Sequence, residues 1–228
     1  MNEIYFINNM TERILSGKYT NFLDSRKQEL IKSKLPKNSY KVFKPYKDSE
    51  KVIFYSNNRP KIFLYKIICD EKLFHKDILG SLFSLNIDES LFGDIIVFDD
   101  NYYIYLMPSI KEYVLSSLIK IKHSIIKLEE TPIHTLSNYE RKYETISFIV
   151  SSCRIDNVCS YLAHTNREKI KDKIKLGEIL VNYTNVKNSY MLKENDVFSI
   201  RKIGKFKFYK IINETKKDKI VVEVLKYI

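Results

Sequence analysis

Several residue types on which enzymes and binding sites depend are scarce in this 228-residue sequence. It has no tryptophan, and glycine, proline and cysteine number only five, five and three. A methyltransferase of the Rossmann type needs a Gly-rich loop between a strand and a helix. The glycines instead stand singly, at Gly17, Gly80, Gly93, Gly177 and Gly204. The sequence therefore argues against that class of enzyme.

The cysteines and histidines form no pattern typical of a disulfide framework or a metal site. Cys69, Cys153 and Cys159 are odd in number and lack CxxC spacing, which argues against disulfide pairs and thiolate zinc ligation. Three of the histidines are isolated in the sequence: His123, His134 and His164. We therefore expect no metal and no cofactor, and a reducing compartment.

Long apolar segments are also missing. A helix needs about 18 consecutive apolar residues to cross a bilayer, and no such run occurs in the sequence. The first residues lack the basic stretch and apolar core of a secretory signal. We expect no membrane association and a location in the cytoplasm.

Positive charge is abundant and unevenly distributed. Lys and Arg total 39 against 28 Asp and Glu, a formal net charge of +11. Residues 1–150 carry 22 basic and 19 acidic side chains, a net charge of +3, whereas residues 151–228 carry 17 and 9, a net charge of +8. An AT-rich genome would enrich lysine along the whole chain. The asymmetry therefore favours a localised surface for a polyanion such as nucleic acid.

Residues 1–130 are predicted to form N-terminal helices followed by a ferredoxin-like domain of α+β class. The periodic apolar residues as far as Leu23 predict a first helix. Asp24 is expected to cap a second helix, which ends before Pro36. Strands are predicted at 40–43 and 52–55. Strands at 62–68, 94–98, 102–106 and 124–128, with helices at 76–85 and 109–119, then give the order β-α-β-β-α-β of ferredoxin-like and RNA-recognition folds. This order alone does not show RNA binding.

Residues 131–144 lack apolar periodicity and are predicted to form a linker. Residues 145–228 are predicted to form a second domain of two helices and a small β-sheet. Ser151 or Ser152 is expected to cap the first helix, with Asp156 off its apolar stripe. Thr165 or Asn166 is expected to cap the second helix, which ends at Gly177.

This second domain concentrates the candidate RNA-binding residues. Five cations border the apolar stripe of its second helix, where like charges four residues apart are unfavourable without an anionic partner. Further cations interleave with Phe206, Phe208 and Tyr209, a mixture suited to phosphates and exposed bases. A solvated helix face and a buried strand face are the alternatives. The candidates are Arg154, Arg167, Lys169, Lys171, Lys173, Lys175, Arg201, Lys202, Lys205 and Lys207.

Four stretches resemble the RNA-binding domain named after small-subunit ribosomal protein four, here called the S-four domain. They are Arg154-Ile155-Asp156, Arg167-x-Lys169, Lys175 to Asn182 and Glu194 to Arg201. The resemblance implies that the helices and following strands grip folded RNA, with contacts from Arg154, Arg167, Lys169, Lys175 and Arg201. Asn166 and Asn195 replace the usual Ser and Gly but keep their capping and turn chemistry, whereas Ile170 replaces a residue that is often small.

Nearly the whole chain resembles the YlmH family of bacterial proteins, through Phe22 to Arg26, His75 to Gly80 and Leu91 to Val97 followed by the S-four domain. In that family, a factor on a split large ribosomal subunit holds peptidyl-tRNA while the stalled chain receives an untemplated tail. The resemblance implies a non-catalytic protein that binds ribosomal RNA and transfer RNA on the large ribosomal subunit. We also expect a monomer.

Two other functional classes stay open. RNA-modifying enzymes such as rRNA methyltransferases and pseudouridine synthases also carry S-four domains, and His75 with Asp77 is the strongest local candidate for acid–base chemistry. Residues two apart do not face each other on a helix, however, and Asp77 suits a helix N-terminus, so we expect no catalytic residue. A protein-interaction module acting through the N-terminal helices would instead expose an apolar patch.

Overall fold

The computed structural model describes residues 3–215 and 219–228 and contains both helices and strands. The α+β class is confirmed. Contacts divide the chain into two compact units, residues 1–140 (unit 1) and residues 141–228 (unit 2). The boundary lies within the segment 131–144 that the sequence predicts to be a linker. Leu136 and Tyr139 of this segment are buried in a core of unit 1, so its first part belongs to the folded unit.

Unit 1 contains both classes of secondary structure. Its helices are α1 (Glu3–Leu15), α2 (Ser25–Lys32), α3 (His75–Ser84) and α4 (Lys111–Ser117). Its strands are β1 (Lys41–Phe43), β2 (Ile53–Tyr55), β3 (Phe63–Ile68), β4 (Phe92–Phe98), β5 (Asn101–Leu106), β6 (Lys120–Ile121), β7 (Ser124–Ile125) and β8 (Lys127–Thr131). Among the helices of the described residues, none is long and apolar enough to span a bilayer.

The first helix ends earlier than the sequence predicts. Helix α1 stops at Leu15, because Gly17 adopts a φ of 83° that continues no right-handed helix. The chain beyond it is not helical, and Leu23 instead forms an isolated bridge with Val52. The predicted cap of the second helix is confirmed, since the Asp24 side chain accepts a hydrogen bond from a backbone N–H in the first turn of α2.

Strands β3, β4, β5 and β8 form an antiparallel sheet of order β4-β5-β3-β8. With α3 and α4 between them, the element order is the predicted β-α-β-β-α-β, and the sheet order is that of a split βαβ fold. The last strand begins at Lys127 rather than at residue 124. Residues 120–125 form a separate hairpin of β6 and β7, which the sequence did not predict.

Both faces of this sheet are covered. Alternate residues of β5 enter different cores: Ile104 packs with residues of α3 and α4, whereas Tyr105 packs with Phe22 and Tyr139 on the other face. Tyr105 is fully buried. RNA-recognition folds stack bases on aromatic side chains of an open sheet face, so the buried aromatics of this sheet are unavailable for that mode of binding.

Unit 2 consists of α5 (Ile155–Leu162), α6 (Arg167–Lys175) and a six-stranded antiparallel sheet. Its strands are β9 (Tyr143–Val150), β10 (Ile179–Val181), β11 (Thr184–Asn185), β12 (Val197–Ile200), β13 (Gly204–Glu214) and β14 (Ile220–Tyr227). The sheet order is β11-β10-β12-β13-β14-β9. The two predicted helices are present, but the sheet is larger than predicted because β9 pairs with β14 along its whole length.

Gly93 on β4 leaves little room for a side chain. A Cβ atom there would lie 3.0 Å from both Phe22 Cε1 and Tyr105 Cβ. We expect Gly93→Ala to lower the free energy of unfolding by about 1–3 kcal/mol, the usual cost of overpacking. A Cβ atom added at Gly80 on α3 would have no neighbouring atom within 4 Å. Gly80→Ala should therefore raise the free energy of unfolding by about 0.5–1 kcal/mol. Urea denaturation measures both effects, and shifts of the same sign would contradict this packing.

Candidate nucleic-acid interface

One buried carboxylate holds two of the predicted RNA-binding arginines. Asp156 is 0% exposed. Its Oδ2 accepts hydrogen bonds from Arg154 Nη2 at 3.0 Å and from Arg167 Nη2 at 2.9 Å, and its Oδ1 accepts one from Arg154 Nε at 3.1 Å. Asp156 is predicted only to lie off the apolar stripe of α5, and the structure buries its carboxylate against the two arginines. A buried carboxylate needs paired donors, and the two guanidinium groups supply them.

The starts of α5 and α6 bring these three residues together. Arg154 immediately precedes α5, and Arg167 is the first residue of α6. The predicted caps Ser151 and Ser152 are wrong, because the chain is still extended at Arg154, which forms an isolated bridge with Met191. For α6 the Asn166 cap is confirmed, since its side chain accepts a hydrogen bond from a first-turn backbone N–H at 3.0 Å.

The carboxylate is ionised and both arginines remain reachable. Burial raises the pKa of Asp156, but hydrogen bonds from Arg154 and Arg167 lower it by more, so that the pKa lies below its usual value. The side chains of Arg154 and Arg167 are 37% and 43% exposed. This cluster therefore presents two cations to solvent with one buried negative charge behind them.

Acidic side chains pair with three lysines of α6. The N···O distances are 2.6, 2.7 and 3.8 Å for Lys171 with Glu168, Lys173 with Glu178, and Lys175 with Asp172. Glu178 also lies 3.8 Å from Arg201, and the hydrogen bond from Lys173 lowers the pKa of Glu178. Gly177, with a φ of 70°, turns the chain at the end of α6 and places Glu178 there. Glu168 and Asp172 belong to α6 itself, whereas Glu178 lies beyond its end.

Lys169 and Lys202 differ from these paired cations. Both side chains are exposed, and neither has an ion pair in the part of the chain that the structure describes. Lys169 lies in the first turn of α6, and Lys202 lies between β12 and β13 with a φ of 68°. Their ammonium groups can bind phosphate without first breaking an internal ion pair.

The aromatic residues of β13 divide between core and surface. Phe206 and Phe208 are buried in the core of unit 2. Both therefore belong to the buried face of their strand, the alternative left open by the sequence, and neither can stack on a base. Tyr209 is partly exposed. Lys205 Nζ donates a hydrogen bond to the Tyr183 hydroxyl at 2.9 Å, and Lys207 is half-buried on the same strand.

Asp77, which was considered for acid–base chemistry, has a structural role. The Asp77 carboxylate accepts a hydrogen bond from the Phe74 N–H at 2.9 Å and pairs with Lys122 Nζ at 2.7 Å. Although desolvation raises the pKa of Asp77, these bonds hold it below its ordinary value, which disfavours a role as general base. Burial raises the pKa of the Cys159 thiol. Residues 3–215 and 219–228 contain no group of three His, Cys, Asp or Glu placed to hold a metal.

Comparison with known proteins adds two matches of sequence. Residues 61–135 match the family model described as "Putative RNA-binding domain in YlmH". The "Ribosome-associated protein quality control protein P2" of Bacillus subtilis (strain 168) is 30% identical over 146 residues, which are 64% of this chain. Both matches support the YlmH family. The aligned region spans 57% of the curated YlmH-type relative, and the predicted S-four domain lies outside residues 61–135.

A solved structure, "Cell division protein ylmH from Streptococcus pneumoniae", is also similar. It is 20% identical, and the match covers 60% of this chain and 95% of that chain with a TM-score of 0.49.

Asp156→Asn would remove the negative charge that holds Arg154 and Arg167. We expect the variant to be roughly 1–3 kcal/mol less stable at neutral pH, because a neutral amide replaces the charge-assisted hydrogen bonds that Asp156 accepts from the two arginines. The folded-state pKa of Asp156 is depressed, so its stabilising contribution is present above the ordinary aspartate pKa of about 4 and is lost as the pH falls through the folded value. Denaturation across this pH range should show the two proteins converging in acid.

The matched control is Asp172→Asn on α6. Its carboxylate is 70% exposed and lies 3.8 Å from Lys175, so we expect almost no change in stability at any pH. Equal stability of Asp156→Asn and Asp172→Asn at neutral pH would contradict the role of Asp156.

Proposed function

We propose that this chain is a non-catalytic RNA-binding factor that acts on the ribosome. The observation that carries the proposal is the arginine pair fixed by Asp156, together with the exposed Lys169 in the first turn of α6. The net charge of +8 in residues 151–228 supports a polyanionic partner. The similarity of residues 61–135 to the YlmH domain and the name of the Bacillus subtilis relative support RNA and the ribosome as that partner.

The chemistry of the arginine pair suits RNA phosphates. A guanidinium group has five N–H donors in a planar fork. Arg154 gives two of its nitrogen atoms and Arg167 one to Asp156, which leaves further donors on the exposed edges. Because the carboxylate already orders both side chains, little rotamer entropy is left to lose when a phosphate binds.

More specifically, we propose that unit 2 is an S-four domain that contacts ribosomal RNA and transfer RNA on the large ribosomal subunit. The chain, as a cytoplasmic monomer, would stabilise peptidyl-tRNA during untemplated tailing. The order of two helices and then a sheet supports this proposal, as do the motif residues Arg154, Arg167, Lys169 and Arg201. The role needs binding energy and geometry rather than bond chemistry, in keeping with the structural role of Asp77.

Co-sedimentation with purified ribosomal subunits over a salt series tests the proposal. The best variant is Lys169→Ala/Lys175→Ala/Lys202→Ala, because removing Arg167 would also disturb buried Asp156. We expect wild type to bind the large subunit in a salt-sensitive manner and the variant to bind at least about tenfold more weakly, with a shallower salt dependence.

Three exposed lysines of unit 1 provide a control of equal charge: Lys18→Ala/Lys37→Ala/Lys44→Ala. If both triple variants bind like wild type, the proposed surface of unit 2 is wrong. If wild type binds no ribosomal particle, the ribosomal role fails, and an RNA-modifying enzyme or a protein-interaction module becomes the better proposal.

A further inference from the structure

Phe74 occupies a position where helices usually begin with a small polar residue. It is the N-cap of α3, a place favoured by Ser, Thr, Asp and Asn. The capping bond comes instead from the Asp77 carboxylate, which accepts the Phe74 N–H. Phe74 is 53% exposed, whereas the preceding Leu73 is buried in the core. Neither helix capping nor core packing therefore accounts for an aromatic side chain at this position, and such departures from local rules are expected at functional sites.

Two lysines accompany this exposed ring. Lys76 Nζ lies 5.8 Å and Lys122 Nζ 5.4 Å from the ring centroid, both within the range of cation–π attraction. Lys122 lies in the turn of the β6–β7 hairpin with a φ of 54°. Its ammonium group is anchored to Asp77, whose side chain is only 6% exposed. The carboxylate thus ties the hairpin to the start of α3 and fixes one cation over the ring.

Among the described residues, the sheet of unit 1 offers no exposed aromatic face for RNA, so an RNA contact in this unit must lie elsewhere on its surface. The sheet of unit 1 is covered on both faces, and its aromatic residues Tyr103 and Tyr105 are buried. Phe74, Lys76 and Lys122 lie within residues 61–135, which match the YlmH-type domain. An exposed aromatic ring flanked by cations is the combination that binds unpaired nucleotides, because the ring stacks on a base and the cations neutralise adjacent phosphates.

We propose that Phe74, Lys76 and Lys122 form a second RNA-contact site, which stacks one unpaired base on the Phe74 ring and binds neighbouring phosphates through the two ammonium groups. The proposal rests on the proposed function, since it assumes that the chain binds RNA. It assigns to unit 1 a local contact that is separate from the arginine pair of unit 2.

Binding of the full chain to a short fluorescent oligouridylate, followed by anisotropy, tests the stacking contact. Phe74→Ala and Phe74→Leu should weaken binding by roughly tenfold, whereas Phe74→Tyr should retain it, because stacking needs an aromatic face rather than apolar bulk. Tyr113→Ala on α4 is the matched control, since Tyr113 is about as exposed as Phe74. An unchanged affinity for Phe74→Ala would overturn the site.

Lys76→Ala tests the phosphate contact. It should reduce the slope of log affinity against log salt by about 0.7, the value for one phosphate of a single strand. The control is Lys37→Ala, which removes an equal charge from an exposed position elsewhere in unit 1. Identical slopes for the two variants would overturn the phosphate contact.

Photo-crosslinking of RNA that contains 4-thiouridine to the wild-type chain gives a direct readout. A crosslink on Phe74 or its neighbours supports the site, and crosslinks confined to unit 2 overturn it while the proposed function stands. If wild type neither crosslinks nor binds, the proposed function fails as well. If Phe74→Ala keeps its affinity for RNA but loses retention on ribosomal subunits, the surface contacts a ribosomal protein and the RNA site is wrong.

Discussion

A carboxylate buried from water must be compensated by the protein, and this constraint organises the candidate RNA surface. Asp156 has no exposed area, so unit 2 can fold with this group ionised only if cations reach it. Arg154 and Arg167 do so from the starts of two different helices. The positions of α5, α6 and both guanidinium groups are therefore linked. The cationic surface is a consequence of folding and exists before any RNA is present.

Unit 1 uses a similar arrangement around Asp77. That carboxylate caps α3 through the Phe74 N–H and pairs with Lys122 of the hairpin. In both units an inward carboxylate orders outward side chains that could meet a nucleic acid. Binding then costs less conformational entropy than it would with free lysine and arginine side chains. The same contacts make acid–base chemistry by these carboxylates unfavourable, because each is held in its ionised form.

Some features set by short-range chemistry could be predicted from the sequence, whereas the burial of particular side chains by long-range contacts could not. The Asp24 and Asn166 caps depend on neighbouring backbone groups, and the structure has both. The burial of Asp156 depends on Arg167, which belongs to another helix and which periodicity within α5 cannot reveal. The Arg154-Ile155-Asp156 motif was the available signal. The covered sheet face likewise depends on Phe22 and Tyr139, which lie outside the β-α-β-β-α-β segment.

The covered sheet also separates topology from function. The strand order of unit 1 is that of RNA-recognition folds, yet the aromatic face that such folds use is buried here, so topology alone cannot locate a binding site. The two units differ in the kind of contact that they can make with RNA. Residues 151–228 carry +8 of the net charge of +11, and phosphate contacts supply affinity and orientation without reading sequence. An exposed ring such as Phe74 instead distinguishes unpaired from paired nucleotides. Under the two proposals, unit 2 would therefore supply most of the binding energy, and unit 1 would supply selectivity for RNA structure.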